Sequence, residues 1–247
     1  MPLRELGTNL KPLYVVPRDD IAGQVLIPAM STATDVRCMA GFFDSSSFRQ
    51  LAPGLAAFLN SSSGALRLLA SPRINAEDRE AIAQATKDPE AVLAQAAVEL
   101  FTDAVLCESA IARHTAKCLA FMLAKQRLDI RFVLTKQGMF HPKVWLIGEA
   151  DDWLVAHGSS NPTLPGLLFN VETVTMERSW LENDRVEAFR SLFSDIWDGV
   201  DPYSLTISAP SGLNLLRHCD GSECPTTADF WLAWRDDAVK GITLEPS

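Results

Sequence analysis

The stretch "FHPKVWLIG", residues 140–148, sets a histidine and a lysine two positions apart in an otherwise apolar run. The run reads as a strand, and on a strand alternate side chains share a face, so His141 and Lys143 are expected to project together. Burying such a pair is costly unless the two groups satisfy one another or a ligand.

Two further polar groups follow. The strand candidate "WLVAHG" (153–158) runs into Ser159, Ser160 and Asn161, a polar turn expected to start a helix. "FNVETV" (169–174) then places Asn170 and Glu172 at the same i, i+2 spacing. Each element alone is common by chance. All of them in this order, each on a suitable local structure, form a specific signal.

Outward from this core the chain alternates. "LYVVP" (13–17), "VRCMAGFF" (36–43) and "ALRLLAS" (65–71) read as strands, with helical segments at 18–33 and 45–64 between them. Residues 76–127 read as helical, broken near Asp88-Pro89 and Asp103. "DIRFVLT", "HPKVWLIG" and "DWLVAHG" follow, the last two separated by the acidic turn "EADD" (149–152). The segment 181–197 puts Val186, Phe189, Phe193 and Ile196 on one helical stripe. Strands alternating with helices, then strands clustering, predict an α/β fold whose mixed sheet is flanked by helices on both faces. The expected division is a catalytic domain over 1–200 and a C-terminal extension over 201–247, whose apolar cluster "FWLAWR" docks somewhere.

Composition narrows the function. The 247 residues can bury a sizeable core, and no apolar run approaches ~20 residues, so no membrane partner is expected. The N-terminus lacks the basic-then-apolar order of a secretory signal, and five scattered cysteines suit free thiols, so the expected location is cytoplasmic. His218, Cys219 and Cys224 in "RHCDGSEC" have a zinc-like look, but no fourth ligand stands out, and a turn with incidental thiols is the preferred reading. The net charge of −9 argues against a surface coated for nucleic acid. Charge is uneven, however: 111–143 carries seven basic residues against Asp129, and 177–201 carries seven acidic residues against three arginines.

With His141-Pro142-Lys143, Gly158-Ser159-Ser160-Asn161 and Asn170-Val171-Glu172 in hand, the chain resembles the phospholipase D superfamily. The likeness runs over roughly residues 15–200, and only 140–172 is motif-specific. The superfamily motif often has an aspartate five residues after its lysine, where Gly148 stands here. The resemblance implies a phospholipase D-like fold and a metal- and cofactor-independent phosphodiesterase. His141 is the implied nucleophile, and Lys143 and Asn161 hold the non-bridging phosphate oxygens. Glu172 is implied to orient the imidazole, with Ser159, Ser160 and Asn170 as substrate-binding residues. A second histidine must protonate the leaving oxygen. One motif per chain therefore implies a homodimer, with His157 the weaker in-chain candidate.

The N-terminal half is similar to phospholipase D-like modules that precede helicase domains in bacterial DNA-processing and phage-defence proteins. No helicase motif is present, so such a motor is expected on a separate chain. The leading expectation is a nuclease. The alternatives are a hydrolase of lipid or small phosphodiesters, and a non-catalytic subunit that binds nucleic acid or a partner.

Overall fold

A computed structural model describes residues 2–43, 46–72, 88, 93, 109–209 and 222–240. Among the described residues the strands are β1 Leu13–Val16, β2 Asp35–Ala40, β3 Ala65–Ala70, β4 Leu128–Thr135, β5 Lys143–Glu149, β6 Asp152–Gly158, β7 Glu172–Arg178 and β8 Ser204–Ser208. They form one sheet in the order β1-β7-β6-β5-β2-β3-β4-β8. β2, β3 and β4 run parallel to one another, and the other pairings are antiparallel. The expected mixed α/β sheet is the observed one. The parallel part comes from the alternating first half of the chain, and the antiparallel meander β5-β6-β7 from the clustered strands.

Alternation sorts the side chains onto two faces. Val36, Cys38, Leu66, Leu68, Ile130, Phe132, Trp145, Ile147, Ala156 and Val174 belong to the larger core. That core is covered by α1 Leu3–Thr8, α2 Ile27–Met30 (entered through a π turn, Ala22–Leu26), α3 Ser46–Gln50, α4 Ala52–Ser61, α5 Ala110–Ala124 and α6 Leu164–Leu168. On the other face, Met39, Leu69, Val144, Leu146 and Val155 pack against Val186, Phe193 and Ile196 of α7, Asn183–Trp197. This is the stripe expected at 181–197. The expected helices between 76 and 108 lie largely outside the described residues. No helix among the described residues is long and apolar enough to cross a membrane.

The segment expected as an extension, 201–247, contributes to the sheet and to its cover. β8 comes from the presumed extension, yet it pairs with β4 from Arg131↔Ser208 to Thr135↔Ser204 and completes the sheet edge. Its sequence, Ser-Leu-Thr-Ile-Ser, is short and half polar, as suits an exposed edge. Further on, α8 Thr227–Val239 buries Phe230 and Ala233 against Ala52, Ala110 and Ile111. Its Asp237, 1% exposed, caps the start of α5. Ser109 Oγ and the Ala110 N–H each donate to it at 2.6 Å, and the Ile111 N–H at 3.0 Å. Burial opposes the charge on Asp237, but these hydrogen bonds prevail and hold its pKa below the usual carboxylate value.

Candidate active site

Lys143 is the first residue of β5 and lies opposite Ala40, the last residue of β2. It faces the larger core with Trp145 and Ile147 and is 9% exposed. His141 was expected on the strand but stands two residues before it, exposed to solvent. Pro142 is the reason: it has no N–H to give to a ladder, so strand pairing begins after it. The Pro142 carbonyl still accepts the Gly41 N–H at 2.7 Å, which ties the entry of β5 to the end of β2.

The two side chains do meet. Lys143 Nζ lies 2.7 Å from His141 Nδ1 and 2.8 Å from Nε2, and it donates to the His141 carbonyl at 2.9 Å. Near-equal distances to both ring nitrogens mean that the ammonium faces the ring rather than a single lone pair. Burial, and secondly the charge of Lys143, lower the His141 pKa below the ordinary imidazole value. Burial lowers the Lys143 pKa too, while the Glu172 carboxylate works to raise it. The result favours a neutral imidazole beside a cation supported by Glu172.

Glu172 opens β7 opposite Val16 of β1, on the same face as Val174 and Met176. Asn170 precedes that strand, is exposed, and donates through Nδ2 to Glu172 Oε1 at 3.3 Å. The polar turn after β6 is clasped to β7 in both directions. The Ser159 N–H donates to the Thr173 carbonyl at 3.0 Å, and the Thr173 N–H donates to Ser159 Oγ at 3.0 Å. Gly158 is required there, because a Cβ would come within 1.9 Å of the Thr173 carbonyl oxygen. Ser160 is buried and donates to the Gly166 carbonyl at 2.7 Å. The expected substrate-binding serines thus both spend hydroxyl contacts on holding the turn. The helix does not begin at the serines: α6 starts at Leu164, with Thr163 as its cap.

Two residues of the site were not picked out in the sequence. Gly41, just after β2, lies so close to His141 that a Cβ would sit 2.4 Å from its Cδ2 and 2.9 Å from its Cα. Phe42 donates its N–H to Asn161 Oδ1 at 3.2 Å, which ties the polar turn after β6 to the end of β2. Its ring meets the His141 imidazole edge-to-face, with centroids 5.4 Å apart and planes at 81°. A glycine closing an apolar strand was the available signal. Gly41→Ala is expected to push His141 aside and cut turnover about a hundredfold, since misplacement by ~1 Å costs that much. Steady-state kinetics beside a melting curve would check this.

The site lies at the end of the sheet where β2 and β6 finish and β5 and β7 begin, and β2 there has parallel β3 on one side and antiparallel β5 on the other. His157 is not part of it. Its β5 partner is Val144, and it points to the opposite face, with Nε2 3.4 Å from Glu177 Oε1 and its ring 4.7 Å from Phe189. Gly148, where an aspartate was expected, is occupied by a neighbour: a Cβ there would lie 2.7 Å from the Trp153 indole. Of the zinc-like trio, His218 and Cys219 lie outside the described residues and Cys224 is half-buried. Among the described residues no three His, Cys, Asp or Glu side chains are grouped to hold a metal.

No protein-family model matches the chain, and no curated protein matches it in sequence. A solved member of the phospholipase D family is similar to it. This is Nuc from Salmonella typhimurium, 16% identical, aligned over 81% of this chain and 97% of that one, with TM-score 0.48. NucT from Helicobacter pylori is 14% identical over 75% of this chain and 94% of its own, with TM-score 0.43. Phosphatidylserine synthase of Haemophilus influenzae Rd KW20 is 9% identical over 89% of this chain and 43% of its own, with TM-score 0.46.

Proposed function

We propose that this chain is a phosphodiesterase that cleaves nucleic acid through a phosphohistidine intermediate, without a metal. One observation carries the reading: an exposed imidazole of lowered pKa stands against a buried lysine, whose charge Glu172 supports. Neutral His141 attacks phosphorus, forming a P–N bond as the P–O bond to the leaving group breaks. Lys143 Nζ and the Asn161 amide stabilise the non-bridging oxygens as charge builds on them. An incoming phosphate oxygen gives the ammonium a better acceptor than the ring nitrogens it now faces. The leaving oxygen takes a proton from a protonated histidine. Water then attacks the P–N bond, gives up its proton to that same histidine, and releases the phosphorylated product with His141 neutral again. Glu172 serves by supporting the charge of Lys143 and by accepting from Asn170. Ser159 and Ser160 serve by fixing the turn that carries Asn161.

The reading extends to a role in bacterial DNA processing or phage defence. The experiment is direct: purified protein is given DNA, RNA, a phospholipid and bis(p-nitrophenyl) phosphate, with and without millimolar EDTA. Cleavage of nucleic acid is expected to persist in EDTA, because Lys143 supplies the positive charge at the phosphate. Activity lost in chelator and regained with magnesium would overturn the mechanism, and turnover of the phospholipid alone would favour the lipid reading.

The acid is proposed to be the second His141 of a two-fold dimer, since His157 lies on the wrong face. The active species is then expected to scatter light at twice the 27.1 kDa chain mass. The pH profile should be bell-shaped. Because burial and Lys143 lower the His141 pKa, the nucleophile stays neutral to lower pH than an ordinary imidazole. The acid limb should therefore fall below pH ~6.5. Full activity from a proven monomer would send the search for the acid elsewhere.

A further inference from the structure

We infer that Phe42 is a stacking platform for an unpaired nucleobase, which makes single-stranded nucleic acid the substrate class of this site. The inference rests on the phosphodiesterase reading above and supplies what would separate nucleic acid from other phosphodiesters. Phe42 is 38% exposed although its ring touches the His141 imidazole. Its backbone is held on both sides. Asn161 Oδ1 holds its N–H, and Gly41 before it is bonded to the Pro142 carbonyl and pressed against His141. Two site residues thus fix an open aromatic ring beside the atom that attacks phosphorus.

The surroundings point the same way. Phe169 (55% exposed) and Val171 (82%) flank Asn170 in the chain, and Met139 (41%) stands two residues before His141. The lysine of the site lies at its floor, 9% exposed. With a net charge of −9, long-range attraction to a polyanion is weak, so affinity needs a second source. Base–aromatic stacking is such a source, and it tolerates any sequence because every base has a π-face. A duplex keeps its bases stacked inside, away from a ring at the phosphate. An unpaired strand can turn a base onto it.

The test compares cleavage of oligothymidylate, oligouridylate, a duplex, and an abasic oligomer with the same phosphate backbone, with bis(p-nitrophenyl) phosphate as a base-free diester. The two homopolymer arms distinguish DNA from RNA. Wild type should favour base-bearing single strands over the abasic oligomer and the duplex by about tenfold or more in kcat/KM. Phe42→Ala should lose that preference, mainly through KM, and Phe42→Trp should restore it. The inference is overturned if Phe42→Ala keeps the preference, or if wild type shows none while cleaving the chromogenic diester. It is also overturned if Phe42→Ala dissociates into smaller species with its preference intact, for the ring would then be a contact with a second copy. Failure to cleave any of the five substrates would overturn the phosphodiesterase reading itself, and this inference with it.

Discussion

Replacing His141 with alanine is expected to abolish phosphodiester cleavage, by at least about a thousandfold in kcat, while the melting temperature stays near that of wild type. The nucleophile is lost, but little of the fold is. His141 is exposed and precedes β5, so no ladder hydrogen bond of that strand depends on it. Lys143 keeps its bond to the residue-141 carbonyl, which survives the substitution. Single-turnover kinetics on oligonucleotides, run beside thermal melting, would read both halves of the claim. Activity within tenfold of wild type would remove His141 from the nucleophile's place.

Asp237→Ala should have the largest effect on stability. The carboxylate answers three buried donors at the start of α5, from a helix more than a hundred residues later in the chain. Alanine leaves the Ser109 hydroxyl and two helix-terminal N–H groups without their acceptor in a place closed to water. Orphaned buried donors cost 1–3 kcal/mol each, and partial relaxation brings the total to about 3 kcal/mol. For a domain of this size that is a fall of roughly 6–12 °C in melting temperature. The same contact carries a pH dependence. Its folded pKa is lowered, so its stabilisation is present above the ordinary carboxylate value and drains away as pH falls through the lowered one. Calorimetry on the variant would check the size, and wild-type melting between pH 6 and 3 the sign. An unchanged melting temperature for Asp237→Ala would mean that 222–240 does not hold α5 in solution.

The sequence made the strands legible where composition was unambiguous. "VRCMAGFF", "ALRLLAS" and "DIRFVLT" are short, mostly apolar runs that read as strands, and they are β2, β3 and β4. The order His141, Lys143, Asn161, Glu172 was legible because it is local. What escaped was set by distance or by single atoms. Phe42 joins Asn161 across 119 residues, and nothing near either one announces the other. Pro142 decided that His141 would stand off the strand, a boundary effect that alternation alone misses. Ser204–Ser208 has little apolar character of its own, and its place in the sheet comes from pairing with β4, which no local pattern announces. His157 looked close in the chain to the polar turn, yet its place opposite Val144 turns it to the other side of the sheet.

The seam between parallel and antiparallel strands also bears on the order in which the chain acquires its properties. β2 and its Gly41-Phe42 edge leave the ribosome long before β5, β6 and β7 exist. His141 is then seated only when the late meander closes back onto the early strands. Such closure is entropically slow relative to local structure. A chain made only as far as β4 thus carries α1 to α5 and the parallel strands but no place for His141. Recovery of cleavage on refolding should accordingly trail the recovery of helical signal, which makes the activity a late clock for completion of the fold.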